Sequence, residues 1–322
     1  MQAWIVERLS PEGELRLAEV PLPEPAGDEA RIRVAAVGLN FLDTLVVKGQ
    51  YQVKPKLPFS PGVEVAGQVT AAGPDSSFRI GEMIAGNCDF GGFAEEAIVR
   101  ASGAFRMPAG MTPRDAVALL TIYPTAHLAL RHRAGLKAGE TVLVTAAVGG
   151  VGSATLQLAK HWGARVIAAA GGAAKVTLAR ELGADHVIDY REEKLIEGLR
   201  RLAPDGVDVA VDSVGGAVTV DCLRALAWGG RLMIVGFAGG QIAELPSNRL
   251  LLKNAAAMGV YWGEQRRHDP ALADGIGADL LRLHAAGAIR PLIRDVFAFA
   301  QAPAALAALA ARRSVGKVVI DR

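Results

Sequence analysis

The sequence predicts an α/β protein in which a β-rich domain accompanies a doubly wound parallel sheet, and three observations support this fold class. Short β-compatible runs, separated by proline and glycine clusters, fill the first 120 residues. From Thr141 to Trp262, strand-like apolar runs alternate with helical patterns. The length of 322 residues fits two domains.

The first part of the chain is expected to form a compact, barrel-like arrangement of short strands. Turn-forming clusters such as Pro21–Pro25 and Gly91-Gly92 separate the strand-like runs. The candidate strands are residues 2–9, 15–20, 30–37, 63–72, 82–86 and 94–99.

The second part begins with a helical pattern at Asp115–Arg133, which is expected to bend at Pro124 because proline lacks a backbone donor. The strands expected after it are residues 141–146, 165–170, 186–190, 207–213, 231–237 and 256–262. Helical patterns lie between them, so right-handed crossovers would build a parallel sheet. A helix at 270–286, a helix at 302–312 and a strand at 317–320 are expected to return to the first domain.

Composition excludes several other classes of protein. Hydrophobic residues make up 51% of the chain and charged residues 21%, which is ordinary for a globular α/β protein. The formal net charge of +2 gives no general support for binding to nucleic acid or to a membrane surface. The N-terminus carries charges too early for a secretory signal, and no apolar run approaches the roughly 20 residues that span a bilayer. The distant Cys88 and Cys222 favour a reducing cytoplasm over a disulfide scaffold.

A glycine-rich turn between a strand and a helix predicts a dinucleotide site at Thr141–Ala169. Gly149 allows the backbone to approach a pyrophosphate, Gly152 allows the helix to pack tightly on the strand, and the helix N-terminus offers free N–H groups to phosphates. An ordinary tight turn is the alternative, and the strand–turn–helix context favours the nucleotide. The residues expected at the cofactor are Ala147, which replaces the first glycine of the usual motif, and Gly149, Gly150, Val151 and Gly152.

The end of the second parallel strand favours NADPH over NADH. The ribose of NAD is usually held by an acidic residue about 20 residues after the glycine motif, whereas this strand ends in Ala170-Gly171-Gly172. Lys175 follows within one turn, and Tyr190-Arg191 closes the next strand. We therefore expect Lys175 and Tyr190 near a 2′-phosphate, although a solvated lysine at a helix start is common.

Seven short motifs, taken together and in this order, resemble the zinc-free quinone oxidoreductases of the medium-chain dehydrogenase/reductase superfamily. They are residues 38–43, 49–51, 57–67, 147–152, 183–185, 212–216 and 316–317. The resemblance covers essentially the whole chain. It implies a GroES-like catalytic domain of residues 1–120 with 263–322, and an inserted Rossmann NADPH-binding domain of residues 121–262.

The resemblance also implies which side chains line the quinone and nicotinamide pocket. They are Asn40, Asp43, Tyr51 and Thr125. Donors there would meet the negative charge that develops on the acceptor, and Asp43 would orient Asn40 or the nicotinamide ribose. Capping of a helix is the alternative role for Asn40, and packing at the domain edge is the alternative for Tyr51.

The remaining implied contacts lie at later strand ends. Ser213, Gly236 and Phe237 are expected beside the cofactor, and Lys317 is expected to reach its adenosine end or to solvate the last strand. Zinc-dependent relatives place ligands where this chain has Asn40, Val63 and a residue near Thr121. Asparagine, valine and threonine do not supply the ligand set of a catalytic zinc ion, so no metal is expected.

The sequence thus predicts a zinc-independent enzyme that transfers hydride from NADPH to a quinone. A reductase of activated C=C bonds, such as enones or acryloyl thioesters, is the nearest alternative. A non-catalytic NADPH-binding or RNA-binding protein is the alternative from another class. A small-molecule substrate is expected as partner, with neither nucleic acid nor membrane, and a homodimer is expected through the apolar strand at Ala255–Trp262.

Overall fold

The computed structural model describes every residue from Met1 to Arg322 and groups them into two units. The first unit is Met1–Thr121 with Pro291–Arg322, and the second is Ile122–Arg290. The C-terminal piece is part of the first unit. The segment 263–290, however, belongs to the second unit rather than to the first.

Strands dominate the N-terminal part of the first unit because apolar residues alternate with polar ones along most of its runs. The strands are β1 (Gln2–Ile5), β2 (Arg16–Glu19), β3 (Glu29–Leu39), β4 (Glu64–Ala72), β5 (Met83–Asn87), β6 (Glu96–Arg100) and β7 (Ala104–Arg106). Two short helices, α1 (Phe41–Val46) and α2 (Pro113–Ala118), accompany them. The run at 104–106 was not among the predicted strands.

The second unit alternates helices with strands. Its helices are α3 (Ile122–His127), α4 (Gly150–His161), α5 (Ala173–Glu181), α6 (Leu195–Leu202), α7 (Gly216–Ala225), α8 (Asn248–Lys253), α9 (Trp262–His268) and α10 (Pro270–Ala285), with a π-helical segment at Leu128–Arg133. Its strands are β8 (Thr141–Val144), β9 (Arg165–Ala170), β10 (His186–Asp189), β11 (Val207–Asp212), β12 (Leu226–Ile234) and β13 (Ala256–Gly259).

The C-terminal piece of the first unit contains β14 (Asp295–Ala298), a 3₁₀ turn at Phe299–Gln301, α11 (Ala302–Ala310) and β15 (Val318–Asp321). In the main sheet of this unit the strand order is β14-β15-β3-β4-β5-β7, with β6 also paired to β3. Its pairs are antiparallel except β14 with β15. The register places Val318 opposite Leu39 and Glu64 opposite Gly38, so the ends of β3, β4 and β15 meet.

The sheet of the second unit is parallel throughout and has the order β10-β9-β8-β11-β12-β13. The order reverses between β8 and β11, the central pair, which makes the sheet doubly wound as predicted. In such a sheet, ligands bind outside the carboxyl ends of the strands at the point of reversal. Nearly all the predicted cofactor residues follow these ends, so the topology collects them at one edge.

Two local expectations need correction. The predicted bend at Pro124 is wrong, because the chain breaks between α2 and α3 and Pro124 lies in the first turn of α3, where a missing N–H is harmless. The segment 263–290 joins the second unit because α10 packs against α3 through a buried apolar face of Ile276, Leu280 and Leu283. No helix in the structure combines the length and the apolar character that crossing a bilayer requires.

Candidate active site

Gly152 allows the start of α4 to lie against the turn after β8. A β-carbon at Gly152 would lie 2.1 Å from the carbonyl oxygen of Ala146, so only glycine permits this approach. Gly150, Val151 and Gly152 form the first turn of α4, whose N–H groups have no partner within the helix. The turn therefore has the donors and the backbone access that a pyrophosphate needs.

The residue with a strained backbone in this turn is Ala146. It lies one position before Ala147, which takes the place of the first glycine of the usual motif. Ala146 has a φ of 45°, in the left-handed region that disfavours a β-carbon. Ala147 is fully buried, and its N–H donates to the carbonyl of Ala169 at 3.1 Å. The structure thus places Ala147 in the scaffold beneath the turn, with neither its side chain nor its N–H available to a phosphate.

Asp212, which was not among the predicted site residues, organises the neighbouring strand end. Its buried carboxylate accepts from the hydroxyls of Thr145 and Thr219 at 2.8 and 2.5 Å, and from the N–H groups of Val214 and Gly215 at 3.0 and 3.2 Å. This single carboxylate ties the end of β8 to the loop after β11. The sequence could have indicated this role, because Asp212 is an acidic residue that ends an apolar strand shortly before a glycine pair.

The loops after β11 and β12 run side by side. The N–H of Ser213 donates to the hydroxyl of Thr145 at 3.1 Å, and the carbonyl of Ser213 accepts from Ala238 at 2.9 Å. Gly236 therefore lies next to Ser213, and Phe237 beside it is 39% exposed. The structure brings these three predicted cofactor residues to the same edge of the sheet.

A positively charged corner closes the end of β9. A β-carbon at Gly171 would lie 2.5 Å from the ring of Tyr190, and one at Gly172 would lie 3.1 Å from a guanidinium nitrogen of Arg191. Lys175 is in the first turn of α5, which follows these glycines. Arg191, which had been noted only as the neighbour of Tyr190, thus belongs to the same corner.

The one carboxylate near this corner is held by the backbone. Asp189 accepts from the N–H groups of Gly172 and Arg191 at 2.9 and 3.0 Å. These two backbone hydrogen bonds hold the pKa of Asp189 below its usual value. The carboxylate of Asp189 is thus engaged by backbone N–H groups beside Lys175 and Arg191.

In the first unit, Asn40, Asp43, Glu64 and Lys317 form a buried polar cluster at the ends of β3, β4 and β15. Lys317 is 1% exposed and Glu64 is completely buried, and the two form an ion pair. The Nζ atom of Lys317 also donates to Oδ1 of Asn40 at 2.8 Å. Lys317 is therefore not solvated, contrary to one expectation, and its side chain is engaged by Asn40 and Glu64 within the first unit.

Asn40 occupies the N-cap position of α1 without capping it through its side chain. Its backbone N–H donates instead to Oδ2 of Asp43 at 2.7 Å. The Nδ2 atom of Asn40 and Oδ1 of Asp43 are buried without a hydrogen-bond partner in the protein. Such atoms are rare in folded proteins, and a water molecule, an ion or a polar ligand can satisfy them.

Burial raises the pKa of Asp43 to about 7, and the nearby charge of Glu64 raises it further. The hydrogen bonds from the N–H groups of Asn40 and Gly62 and the charge of Lys317 lower the same pKa, but they do not outweigh burial. The cluster thus holds two carboxyl groups and one ammonium group, and Asp43 titrates close to neutrality.

The other two predicted pocket residues belong to different units. Tyr51 packs against the hydrophobic core of the first unit. Thr125 is buried in α3 of the second unit. No group of three or more His, Cys, Asp and Glu side chains is arranged to hold a metal ion.

Comparison with known proteins gives two family matches. Residues 26–109 match the family described as alcohol dehydrogenase GroES-like domain, and residues 150–274 match the family described as zinc-binding dehydrogenase. With the topology described above, these matches confirm the predicted fold class.

Individual relatives cover most of the chain. A rat protein named quinone oxidoreductase-like protein 2 is 43% identical over 303 residues, which are 93% of this chain and 87% of the relative. Bovine prostaglandin reductase-3 is 36% identical over 276 residues, 81% of this chain and 72% of the relative. The quinone oxidoreductase of Thermus thermophilus, solved also in complex with NADPH, covers all of both chains at 36% identity with a TM-score of 0.89.

Proposed function

This chain belongs to the medium-chain dehydrogenase/reductase superfamily, in which it groups with quinone oxidoreductase-like proteins, and we propose that it transfers a hydride from NADPH to a quinone. The oxidoreductase class follows from this membership. The observation that carries hydride transfer to an oxygen-bearing acceptor is the buried amide of Asn40, whose Nδ2 atom has no partner in the protein. The choice of a quinone as that acceptor rests on the quinone oxidoreductase-like relatives.

The second unit fits a dinucleotide with a 2′-phosphate. The close approach at Gly152 and the free N–H groups of the first turn of α4 suit the pyrophosphate. Lys175, Tyr190 and Arg191 would surround the 2′-phosphate, and Ser213, Gly236 and Phe237 would line the nicotinamide end. NADPH supplies the hydride when bound. The Thermus relative solved with NADPH supports this assignment.

Asn40 would act on the acceptor. When a quinone receives a hydride, negative charge appears on its oxygen, and N–H donors already in place stabilise that charge. Because Oδ1 of Asn40 accepts from Lys317, the unpartnered end of the amide is the donor end. A proton from water completes the hydroquinone, so the chemistry requires no acidic side chain.

The residues near Asn40 do not fit a catalytic zinc ion, although one matching family is described as zinc-binding. A zinc site needs three N, S or O ligands, and Val63 and Thr121 offer no such set. The ammonium group of Lys317 already places a positive charge beside Asn40 and Glu64. We therefore propose a reaction without zinc.

Reduction of an activated C=C bond is the second candidate. The same donor amide would stabilise the enolate oxygen that forms when hydride reaches an enone. The relationship to bovine prostaglandin reductase-3 favours this alternative.

We also propose that the chain forms a homodimer in a reducing, cytoplasmic compartment. Strand β13 is at the edge of the parallel sheet, and exposed edges promote pairing with another chain. Leu251 and Leu252 of α8, which packs on β12 next to that edge, are 80% and 70% exposed. Both cysteines are free and buried, as suits a reducing compartment.

Steady-state cofactor oxidation on chelator-treated protein tests the proposed function. NADPH and NADH are compared with a simple benzoquinone and a simple enone, each against a control without enzyme. Quinone turnover that prefers NADPH and survives chelation is the expected result. Enone turnover alone would favour the C=C alternative, and NADPH binding without turnover of either acceptor would favour a binding protein.

A further inference from the structure

We propose that Lys317 and Glu64 are positioning residues, which fix the amide of Asn40 so that its NH₂ group faces the acceptor. This inference rests on the proposed function, in which Asn40 donates to the acceptor oxygen. It gives Lys317 a role other than the expected contact with the adenosine end of the cofactor, and it gives Glu64 a role in the same site.

The hydrogen bond from Lys317 decides which way the amide of Asn40 points. An asparagine amide carries an acceptor on one side and two donors on the other. The Nζ atom of Lys317 is only a donor, and it lies 2.8 Å from Oδ1 of Asn40. A rotation of the amide by 180° would set Nδ2 against this ammonium group, with two donors facing each other. The flipped state is therefore disfavoured, and the donors remain on the opposite side.

The same ammonium group strengthens the donors it orients. A positive charge next to the carbonyl oxygen draws electron density from the amide nitrogen, and polarised chains of hydrogen bonds strengthen one another in a medium of low dielectric. Lys317 and Asn40 are 1% and 9% exposed, so solvent screens this effect little. Lys317 thus makes the NH₂ group of Asn40 a stronger donor.

Glu64 holds the side chain of Lys317 in place. The carboxylate of Glu64 is completely buried and pairs with Nζ. The pair lies directly over β3, because a β-carbon at Gly38 would approach Oε2 of Glu64 to 2.3 Å and Cε of Lys317 to 2.8 Å.

The strands hold this arrangement rigidly. Asn40 directly follows β3, Glu64 begins β4, and Lys317 directly precedes β15. Both β4 and β15 pair with β3 at this end. At Gly316 the chain turns with a φ of 71°, and the N–H of Lys317 donates to the carbonyl of Leu292 at 2.7 Å. The backbone of Lys317 is thus fixed independently of its side chain.

The test is the double substitution Glu64→Gln with Lys317→Met, which removes both charges and the donor to Asn40. We expect kcat with the quinone to fall by roughly 10- to 100-fold, as misplacement of a reacting group does, while the KM for NADPH stays unchanged. The matched control is Arg31→Met with Glu96→Gln, which removes a partly buried ion pair elsewhere in the first unit, with side chains 13% and 15% exposed. This control is expected to lose stability but to keep kcat.

A background of Asn40→Ala separates positioning from general damage. If Lys317 and Glu64 act through Asn40, the double substitution has no further effect on kcat once the amide is absent. An equal loss of kcat in the wild-type and the Asn40→Ala backgrounds would overturn the proposal. An unchanged kcat in the folded double variant would also overturn it.

A measurement independent of turnover completes the test. In protein labelled with ¹⁵N-asparagine, the side-chain amide of Asn40 is expected to be as rigid as the backbone and to become mobile in the double variant. A mobile amide in the wild-type protein would overturn the proposal even if the variant does not fold. A rigid amide in a protein that turns over no quinone would instead uphold the positioning and reject the proposed function.

Discussion

The side-chain amide of Asn40 has its oxygen occupied and its donor end unpaired. Lys317 takes the oxygen, the backbone N–H of Asn40 is held by Asp43, and Nδ2 has no partner in the protein. At the same scale, Asp43 is a carboxyl group whose pKa burial raises to about 7. In the second unit, the cations Lys175 and Arg191 remain available while Asp189 is bound by backbone N–H groups.

Asn40→Asp is expected to abolish most of the quinone reductase activity. The substitution keeps the size of the side chain but replaces the donor NH₂ with an anion, which repels the developing negative charge. Loss of one such donor typically lowers kcat by about 100-fold or more. Steady-state kinetics would check this, with Asn254→Asp at the exposed end of α8 as the control. Unchanged kcat in Asn40→Asp would rule out the donor role.

Asp43→Asn is expected to change how stability depends on pH. The folded protein keeps the proton of Asp43 up to about pH 7, whereas an unfolded aspartate releases it near its usual value of 3.8. Between these values the folded state binds more protons, so this residue lowers the free energy of unfolding as pH rises from about 4 to about 7. Above about pH 7 the effect is constant.

The variant should therefore become progressively more stable than the wild type across this range, since asparagine carries no charge to bury. Denaturant unfolding at several pH values would measure the difference. Asp28→Asn, at an exposed position, should show no such trend. A difference between Asp43→Asn and wild type that is independent of pH would contradict the raised pKa.

Lys175→Ala is expected to weaken NADPH binding and to leave NADH binding unchanged. A charged hydrogen bond to a phosphate contributes about 1.5–3 kcal/mol, so the Kd for NADPH should rise by roughly 10- to 100-fold. Fluorescence titration with both cofactors would test this. Arg180→Ala, in the last turn of the same helix, is the control. Equal losses for the two cofactors would show that Lys175 does not contact the 2′-phosphate.

At the scale of secondary structure, the site depends on how closely elements approach one another. Helix α4 begins against the turn after β8 only because residue 152 is glycine, and the Lys317–Glu64 pair lies over β3 only because residue 38 is glycine. These are steric requirements of the folded chain. Both glycines serve functional groups, so a substitution at either affects stability and activity together.

Gly152→Ala is expected to lower the free energy of unfolding by about 1–3 kcal/mol and to weaken NADPH binding. Its β-carbon would lie 2.1 Å from the carbonyl oxygen of Ala146, so the helix must move away from the turn. Gly275→Ala in α10 is the matched control, because no atom lies within 4 Å of the added carbon.

In an open helical position this control should stabilise the protein by about 0.5–1 kcal/mol. Thermal unfolding and cofactor titration of both variants provide the comparison. A Gly152→Ala variant as stable as Gly275→Ala would refute the steric argument.

At the scale of the whole molecule, the C-terminal piece completes a unit that the first 121 residues begin. Pro291–Arg322 returns to the first unit and adds β15 beside β3. This return brings Lys317 to Asn40, across 277 positions of sequence. The second unit, in turn, carries the exposed edge strand for which we propose dimerisation.

Leu251→Asp combined with Leu252→Asp is expected to convert a wild-type dimer into a monomer, because two charges would have to be buried at the interface. Sedimentation equilibrium at micromolar concentration would show the change. Ile80→Asp, at a 72% exposed position in the first unit, should leave the dimer intact. A monodisperse wild-type monomer would contradict the proposed interface.

The parallel sheet, the glycine turn and the cationic corner could all be predicted from the sequence. Each depends on residues that are close together in the chain: the alternation of apolar runs, the spacing of Gly149 and Gly152, and the glycines before Lys175. Local periodicity and turn chemistry act over a few residues, so they can be recognised in the sequence without the tertiary structure. The resemblance to quinone oxidoreductases then indicated Asn40 and Asp43.

The contacts between distant segments became visible only in the folded chain. No local pattern predicts that Lys317 pairs with Glu64 and Asn40, because that contact follows from the pairing of β15 and β4 with β3. Likewise, α10 joins the second unit through an apolar face whose partner, α3, is far away in sequence. The burial of the polar cluster, the raised pKa of Asp43 and the orientation of the Asn40 amide all arise from such long-range packing. This packing joins residues that are far apart in the sequence, so no short segment of the sequence predicts it.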